Sequence, residues 1–268
     1  MDHFQTNWGR PRDDIYGSYD KRIHEASDAA AAANIPTTNT QAPIVTGTSV
    51  IAIKFNKGVI IAADNLASYG SLARFTDVER LLPVGRDTVV GVGGDISDYQ
   101  YLQRVLEQLE INDNYDNDGL ELTASNVFHY ISNIMYNRRS RMNPLWNAIV
   151  VAGVDPVTKE PFLSTVDLRG VTYSAPTLAT GFGAYLAVPL LRQLVDDEKD
   201  VEKVTEEEAR KMIDTCMKVL FYRDARSLDK YSVATITADG VKFDKNVRPE
   251  NMNWNFAGGI KGYGTQDE

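Results

Sequence analysis

Two runs of apolar residues between positions 50 and 64 predict a pair of short strands joined by a tight turn. The first run ends at Phe55, and Gly58 in the turn is free to adopt a positive φ. The second run, residues 59–63, is apolar at every position, which is typical of a strand covered on both faces. Asp64 follows directly and places a carboxylate at the end of that strand.

In the rest of the chain, groups of predicted strands alternate with pairs of predicted helices. In chain order the pattern predicts strands over residues 81–93, two helices from Ser97 and Thr123, strands over residues 148–180, two helices from Gly183 and Thr205, and a hairpin over residues 231–247. Ser97 with Gln100 and Thr205 with Glu208 have the spacing of a capping box. This order predicts an α/β fold of the α+β type, a four-layer sandwich. In it, two mainly antiparallel β-sheets pack face to face, with helix pairs on both outer faces.

The two ends of the chain differ from this central part. No sustained apolar period extends through roughly the first 45 residues, which predicts an arm or a pro-segment. The tail, residues 249–268, is rich in Asn and Gly but carries four spaced large side chains. We expect these to anchor a partner; they are Trp254, Phe256, Ile260 and Tyr263.

Composition excludes several classes of function. The formal net charge of -9 argues against a nucleic-acid partner. Cys216 is the only cysteine, so internal disulfides and cysteine-based metal clusters are excluded, and its place in a helical apolar stripe predicts a core residue. The lack of a long apolar run argues against a membrane partner, and no apolar signal core opens the chain. We expect no metal and no cofactor, and a location in the cytosol or nucleus.

Two short motifs suggest chemistry. If the Gly47–Thr48 bond were cut, Thr48 would carry a hydroxyl nucleophile beside its own α-amine as base. The dipeptide alone is better explained by a Thr that simply begins a strand. The glycines of residues 91–94 precede a helix and could cradle a phosphate, but their spacing fits neither a P-loop nor a dinucleotide fingerprint.

Four segments together resemble one known family. Gly47-Thr48, residues 58–64, residues 91–94 and residues 222–227 are similar to the motifs of proteasome beta-type subunits, in the N-terminal-nucleophile hydrolase superfamily. The resemblance extends from about Thr40 to the tail. It implies a pro-segment over residues 1–39 that is removed between Asn39 and Thr40, a beta-type domain over residues 40–248, and a tail that contacts other subunits.

The resemblance also implies a set of site positions. Thr48 corresponds to the nucleophile, and the supporting family positions fall on Asp64, Arg80, Gly94, Phe182, Asp224 and Ser227. Two of these depart from the family pattern, because Arg80 stands where the family has Lys and Phe182 where it has Ser. Arg stays charged and cannot act as the Lys does, and Phe offers no hydrogen bond. We expect Phe182 to crowd the network around the amine, and Asp64 to pair with Arg80.

The expected function is therefore a non-catalytic structural subunit of the 20S proteasome core, supporting ubiquitin-dependent protein degradation and core assembly. The resemblance implies partners among beta-type subunits of the same and the opposite ring, alpha-type subunits and assembly chaperones. It also implies a cytoplasmic and nuclear location. The first alternative is an active threonine endopeptidase that uses Thr48. A nucleotide-binding domain is the lower alternative.

Overall fold

The computed structural model describes residues 41–116, 119 and 121–262. The predicted pro-segment, its cleavage position at Asn39 and Thr40, and Tyr263 lie outside these residues. The strands are β1 (Val45–Gly47), β2 (Val50–Phe55), β3 (Gly58–Asp64), β4 (Ala67–Tyr69), β5 (Leu72–Phe75), β6 (Leu81–Val84), β7 (Thr88–Asp95), β8 (Asn147–Val154), β9 (Pro161–Val166), β10 (Thr172–Ser174), β11 (Thr177–Ala179), β12 (Tyr231–Thr237) and β13 (Gly240–Val247).

The helices fall in two blocks, as the order of the pattern predicts. They are α1 (Ile96–Asp116), α2 (Ala124–Ser140), α3 (Gly183–Leu186), α4 (Val188–Leu194), α5 (Glu198–Val201) and α6 (Glu206–Arg223), followed by a 3-10 turn at Asn255–Gly259. No helix in the described part of the chain is both long and apolar enough to cross a membrane.

The strands form two antiparallel sheets. The larger has the order β10-β9-β8-β7-β1-β4-β5, with β6 also paired to β7, and the smaller has the order β11-β2-β3-β12-β13. The predicted hairpin at Gly58 joins β2 and β3, and β3 is buried along its whole length between β2 and β12. A Cβ at Gly58 would lie 1.9 Å from the carbonyl oxygen of Ile236, so the neighbouring strand requires glycine there.

Three apolar clusters hold four layers together. One lies between the two sheets and includes Val50, Ile61 and Val150. The second packs α1 and α2 on the larger sheet, and the third packs α3, α4 and α6 on the smaller sheet. The predicted four-layer sandwich is confirmed. Cys216 lies in the third cluster, where burial raises the pKa of its thiol to about 12.

Local details differ from the sequence prediction at two helices. Asp95 caps α1 in place of Ser97, because its Oδ1 accepts the amide of Asp98 at 3.0 Å. The predicted third helix is divided into α3 and α4, and Pro189 lies in the first turn of α4. Proline has no N–H to donate, so it is tolerated in a first turn and ends a continuous helix.

Candidate functional site

Thr48 follows a strand that is paired on both sides. In β1, Thr46 lies opposite Ser68 of β4 and also opposite Asp95 of β7, and Gly47 lies opposite Gly94 of β7. The chain then passes from the larger sheet to the smaller one, where β2 begins at Val50. The nitrogen of Thr48 is therefore an amide in a segment that the larger sheet holds in place.

Packing explains why position 47 is a glycine, whether or not the chain is cut after it. A Cβ at this position would lie 2.5 Å from Cδ and 3.0 Å from Nε of Arg80. Real Cβ atoms do not approach other atoms so closely, and Gly47 itself is buried. The glycine lets the backbone of β1 lie against the Arg80 side chain.

Arg80 uses all of its hydrogen-bond donors inside the protein. Its side chain is fully buried. Nε donates to the carbonyl of Asp64 at 3.0 Å, one terminal nitrogen donates to the carbonyls of Thr48 at 2.9 Å and Val92 at 3.2 Å, and the other donates to the carbonyl of Ser49 at 2.9 Å and to the Asp64 carboxylate. Since a guanidinium has five N–H donors, none is left for chemistry at Thr48.

Asp64 is the partner of Arg80, as the sequence predicts. One carboxylate oxygen receives the guanidinium, and the other accepts the amide of Leu228 at 3.1 Å. Burial, which disfavours the charged form, raises the pKa of the Asp64 carboxyl, and the Arg80 charge acts in the opposite direction. Together the two residues tie the end of β3 to the chain crossing at Thr48 and Ser49.

The Thr48 hydroxyl binds the second acidic residue of the predicted set. It donates to Oδ2 of Asp224 at 2.5 Å, and Oδ1 of Asp224 accepts the amide of Arg226 at 2.9 Å. Asp224 directly follows α6, and its own amide donates to the carbonyl of Leu220 at 2.7 Å. The structure thus brings Thr48 and Asp224 together although 176 positions separate them in the chain.

Ser227 supports the end of α6. Its hydroxyl lies 3.0 Å from the carbonyl of Leu220 and 2.7 Å from that of Asp224, where it closes the end of α6. Among the described residues its side chain makes no hydrogen bond to Thr48. Ser227 therefore acts on the nucleophile position only by holding the helix end that carries Asp224.

Phe182 does not crowd the network around Thr48. Its side chain is 58% exposed and lies at the rim of a shallow depression of about 460 Å³. The other lining residues are 46–48 and 223–226. The expected steric pressure of Phe182 is absent because the ring points to solvent, although the position still lacks the hydroxyl of the family's Ser.

The glycines that precede α1 are explained by packing. Gly94 has a φ of +92°, and a Cβ there would lie 2.1 Å from the carbonyl oxygen of Trp146. A Cβ at Gly91 would lie 2.6 Å from Val50. The start of α1 is occupied by the Asp95 carboxylate, which would repel a phosphate. The geometry therefore gives no support to a phosphate cradle.

Sequence reasoning missed several buried polar groups that position the site. Ser49 Oγ accepts the amide of Gly183 at 2.8 Å, and Thr180 Oγ1 accepts the amide of Val50 at 3.0 Å. The Asn147 side chain donates to the carbonyls of Gly93 at 3.0 Å and Asp95 at 2.9 Å. These residues are polar positions next to apolar runs, which is the only signal that could have identified them.

The described part of the tail packs on α6. The Tyr222 hydroxyl donates to the carbonyl of Asn253 at 2.6 Å, and its ring lies 4.9 Å from that of Trp254 and 5.0 Å from that of Phe256. Trp254, Phe256 and Ile260 nevertheless remain 56%, 48% and 54% exposed. The tail is thus held at its base while its large side chains still offer an apolar surface.

The chain is similar to known proteins of one family. The model of a family described as "Proteasome subunit" matches residues 44–236. The chain is 55% identical to proteasome subunit beta type-7 of Saccharomyces cerevisiae, over 99% of each chain. It is 53% identical to the probable proteasome subunit beta type-7 of Schizosaccharomyces pombe, over 97% of this chain and 96% of that one. Identity to proteasome subunit beta type-4 of Xenopus laevis is 47%, over 85% of this chain and 92% of the relative.

Proposed function

Since the chain belongs to the proteasome subunit family and is a beta subunit of the 20S core particle, we propose that it has no peptidase activity of its own. One observation carries this proposal: all five N–H donors of Arg80 form hydrogen bonds with Asp64 or with the backbone around Thr48. At the family's Lys position, Arg80 thus has a structural role, in which it links Asp64 to the chain crossing at Thr48 and Ser49. The role that remains is to complete the ring and to hold other subunits in place.

The chemistry of a threonine nucleophile supports the same proposal. Such a nucleophile needs a base that can take its proton, and the family uses the freed amine of the threonine. In the uncut chain this nitrogen is still an amide that follows strand β1, so self-cleavage would need a base from another residue. Arg80 cannot lose its proton in a protein, and Phe182 offers no hydrogen bond.

A single feature favours the alternative of an active peptidase. The bond from the Thr48 hydroxyl to Asp224 leaves the nucleophile oxygen beside a carboxylate at 2.5 Å. A carboxylate can accept a proton, but Asp224 also accepts the amide of Arg226 and forms the end of α6. This bond is therefore better explained as a structural link between the β1–β2 crossing and the helix.

Thr48→Ala tests the proposal within the assembled particle. We expect the peptidase activities per particle to stay unchanged, and we expect no adduct on Thr48 with epoxyketone or boronate inhibitors. Loss of the hydroxyl removes one hydrogen bond to the Asp224 carboxylate, which costs about 1.5–3 kcal/mol and leaves the fold in place. The measurements are fluorogenic peptide hydrolysis by purified particles and mass-spectrometric mapping of the adducts.

A catalytic subunit of the same particles, with its own threonine replaced by alanine, serves as the positive control. It should lose one peptidase activity and its inhibitor adduct. If Thr48→Ala behaves in the same way, or if Thr48 carries an inhibitor, the proposal is wrong.

Processing, partners and location complete the proposal. We propose that the pro-segment is removed between Asn39 and Thr40, and that residues 40–47 stay attached in front of Thr48.

As a proteasome subunit the chain assembles with other subunits of the core. We further propose that its tail contacts the opposite beta ring, that alpha-type subunits and assembly chaperones are partners, and that the particle acts in cytoplasm and nucleus. The exposed faces of Trp254, Phe256 and Ile260 support the role of the tail.

A further inference from the structure

Two arginine side chains line the depression beside Thr48 without a partner. Arg223 is the last residue of α6, Arg226 follows in the next segment, and both residues are exposed. Within residues 41–116, 119 and 121–262, neither guanidinium takes part in a hydrogen bond or an ion pair. In a chain of net charge -9, two free guanidinium groups at one concave surface favour a ligand that carries negative charge.

Hydrogen bonds fix the backbone that carries these two arginines. The amide of Asp224 donates to the carbonyl of Leu220 at 2.7 Å, and the amide of Arg226 donates to Oδ1 of Asp224 at 2.9 Å. The hydroxyl of Ser227 donates to the carbonyl of Asp224 at 2.7 Å. The points from which the arginines project are therefore set before a ligand arrives, which lowers the cost of ordering the site.

The negative groups at this surface place an anionic ligand at its rim. Asp224 is buried, and its two carboxylate oxygens already accept the Thr48 hydroxyl and the Arg226 amide. The last carbonyls of α6 add partial negative charge at the helix end. A negatively charged group would therefore meet the guanidinium groups at the exposed rim of the depression, away from the Asp224 carboxylate.

The same depression offers an apolar surface. The Phe182 side chain is 58% exposed at its rim, and Ala225 adds a small exposed side chain to the lining. Aromatic rings favour edge-to-face or offset contact with other aromatic side chains. The volume of about 460 Å³ lies within the range of roughly 300–1,000 Å³ that is typical of ligand pockets. A ligand with an acidic and an aromatic group side by side would use both features.

We propose that the depression binds acidic peptides without cleaving them, with a preference for Glu or Asp next to an aromatic residue. This inference rests on the proposed function, in which Thr48 is not a nucleophile. A carboxylate can accept two parallel hydrogen bonds from a guanidinium, which orients it as well as holding it. The peptide carboxylate pairs with Arg223 and Arg226, and the aromatic side chain packs on Phe182.

Photo-labelling of purified core particles tests this site. The particles are first treated with an epoxyketone inhibitor, so that the catalytic subunits do not bind or cut the probe. The probe is acetyl-Glu-Glu-benzoylphenylalanine amide, whose aromatic ketone attaches to nearby C–H groups under ultraviolet light. Mass spectrometry maps the labelled residues. A matched probe has Gln in place of both Glu residues.

We expect the Glu probe to label Phe182 or residues 223–226, and the Gln probe to label them about fivefold less, because solvent-exposed ion pairs contribute modestly. Replacing both arginines by Gln should lower labelling by the Glu probe to the level of the Gln probe. Replacing both by Glu should exchange the preference, so that a probe with two Lys residues labels best.

A matched variant controls for the overall charge. Arg169→Gln with Arg192→Gln removes the same two charges at exposed positions outside the depression and should leave labelling by the Glu probe unchanged. Intact mass checks that each variant enters the particle. The comparison of the Glu and Gln probes on the unaltered particle needs no variant, so it decides the inference even if one of them fails to assemble.

Equal labelling of the depression by the Glu and Gln probes would overturn the inference, and so would labelling found only elsewhere in the particle. Labelling by the Glu probe that survives the replacement of both arginines would also overturn it. Failure of the proposed function has a different signature, because an epoxyketone adduct on Thr48 would appear in the same mass spectra.

Discussion

Arg80→Met is expected to destabilise the isolated chain by about 3–5 kcal/mol, because it leaves the Asp64 carboxylate buried without its counter-charge. Asp64 is 1% exposed, and only the amide of Leu228 would remain bound to it. The carbonyls of Thr48, Ser49, Val92 and Asp64 would also lose their donors. For a domain of this size the melting temperature should fall by about 10 °C. Chemical denaturation and thermal unfolding measure the change.

Two comparison variants make this prediction specific. Arg210→Met removes an ion pair of similar geometry, 2.8 Å to Asp244, whose side chains are 30% and 34% exposed. It should cost no more than about 1 kcal/mol, since solvent screens such a pair. The double variant Arg80→Met with Asp64→Leu should recover part of the loss, because no lone charge stays buried. If the Arg80→Met variant is as stable as the Arg210→Met variant, the proposed structural role of Arg80 is wrong.

Deleting residues 250–268 is expected to slow the joining of half-particles while the subunit itself stays folded. No residue between Trp254 and Ile260 belongs to the buried apolar clusters, and the described contacts of the tail lie on the surface of α6. Buried aromatic anchors contribute about 2 kcal/mol each at an interface, so losing two should weaken the contact more than a hundredfold. Native gels and sedimentation of particles assembled with the shortened chain give the joining rate.

A shorter deletion separates the two parts of the tail. Removing only residues 263–268 leaves Trp254, Phe256 and Ile260 in place, so most of the effect on joining should disappear. If the longer deletion gives full particles at the normal rate and with normal salt resistance, the tail does not act as an assembly clamp.

Much of the fold could be predicted from the sequence because local signals agreed with it. The strand period around Gly58 and the capping box of Thr205 with Glu208 both appear in the structure. The pairing of Asp64 with Arg80 was also predicted. These features depend on neighbours in the chain or on a family pattern, so one sequence is enough to find them.

Other features depend on contacts between distant segments, and the sequence did not reveal them. The need for glycine at position 47 comes from Arg80, which lies 33 positions later and packs against it only in the folded chain. Phe182 was expected at the amine network but points to solvent. The contact between the base of the tail and Tyr222 was not predicted either.

The mature N-terminus of the chain, taken from purified core particles, tests the central claim most directly. Self-cleavage would need the Thr48 hydroxyl to lose its proton as it attacks the Gly47 carbonyl carbon, and the Arg80 guanidinium, at the family's Lys position, cannot take that proton. Intact mass and N-terminal sequencing should therefore give a chain that begins at Thr40 and retains residues 40–47. A chain that begins at Thr48 would contradict the account, because it would show a working nucleophile at this site.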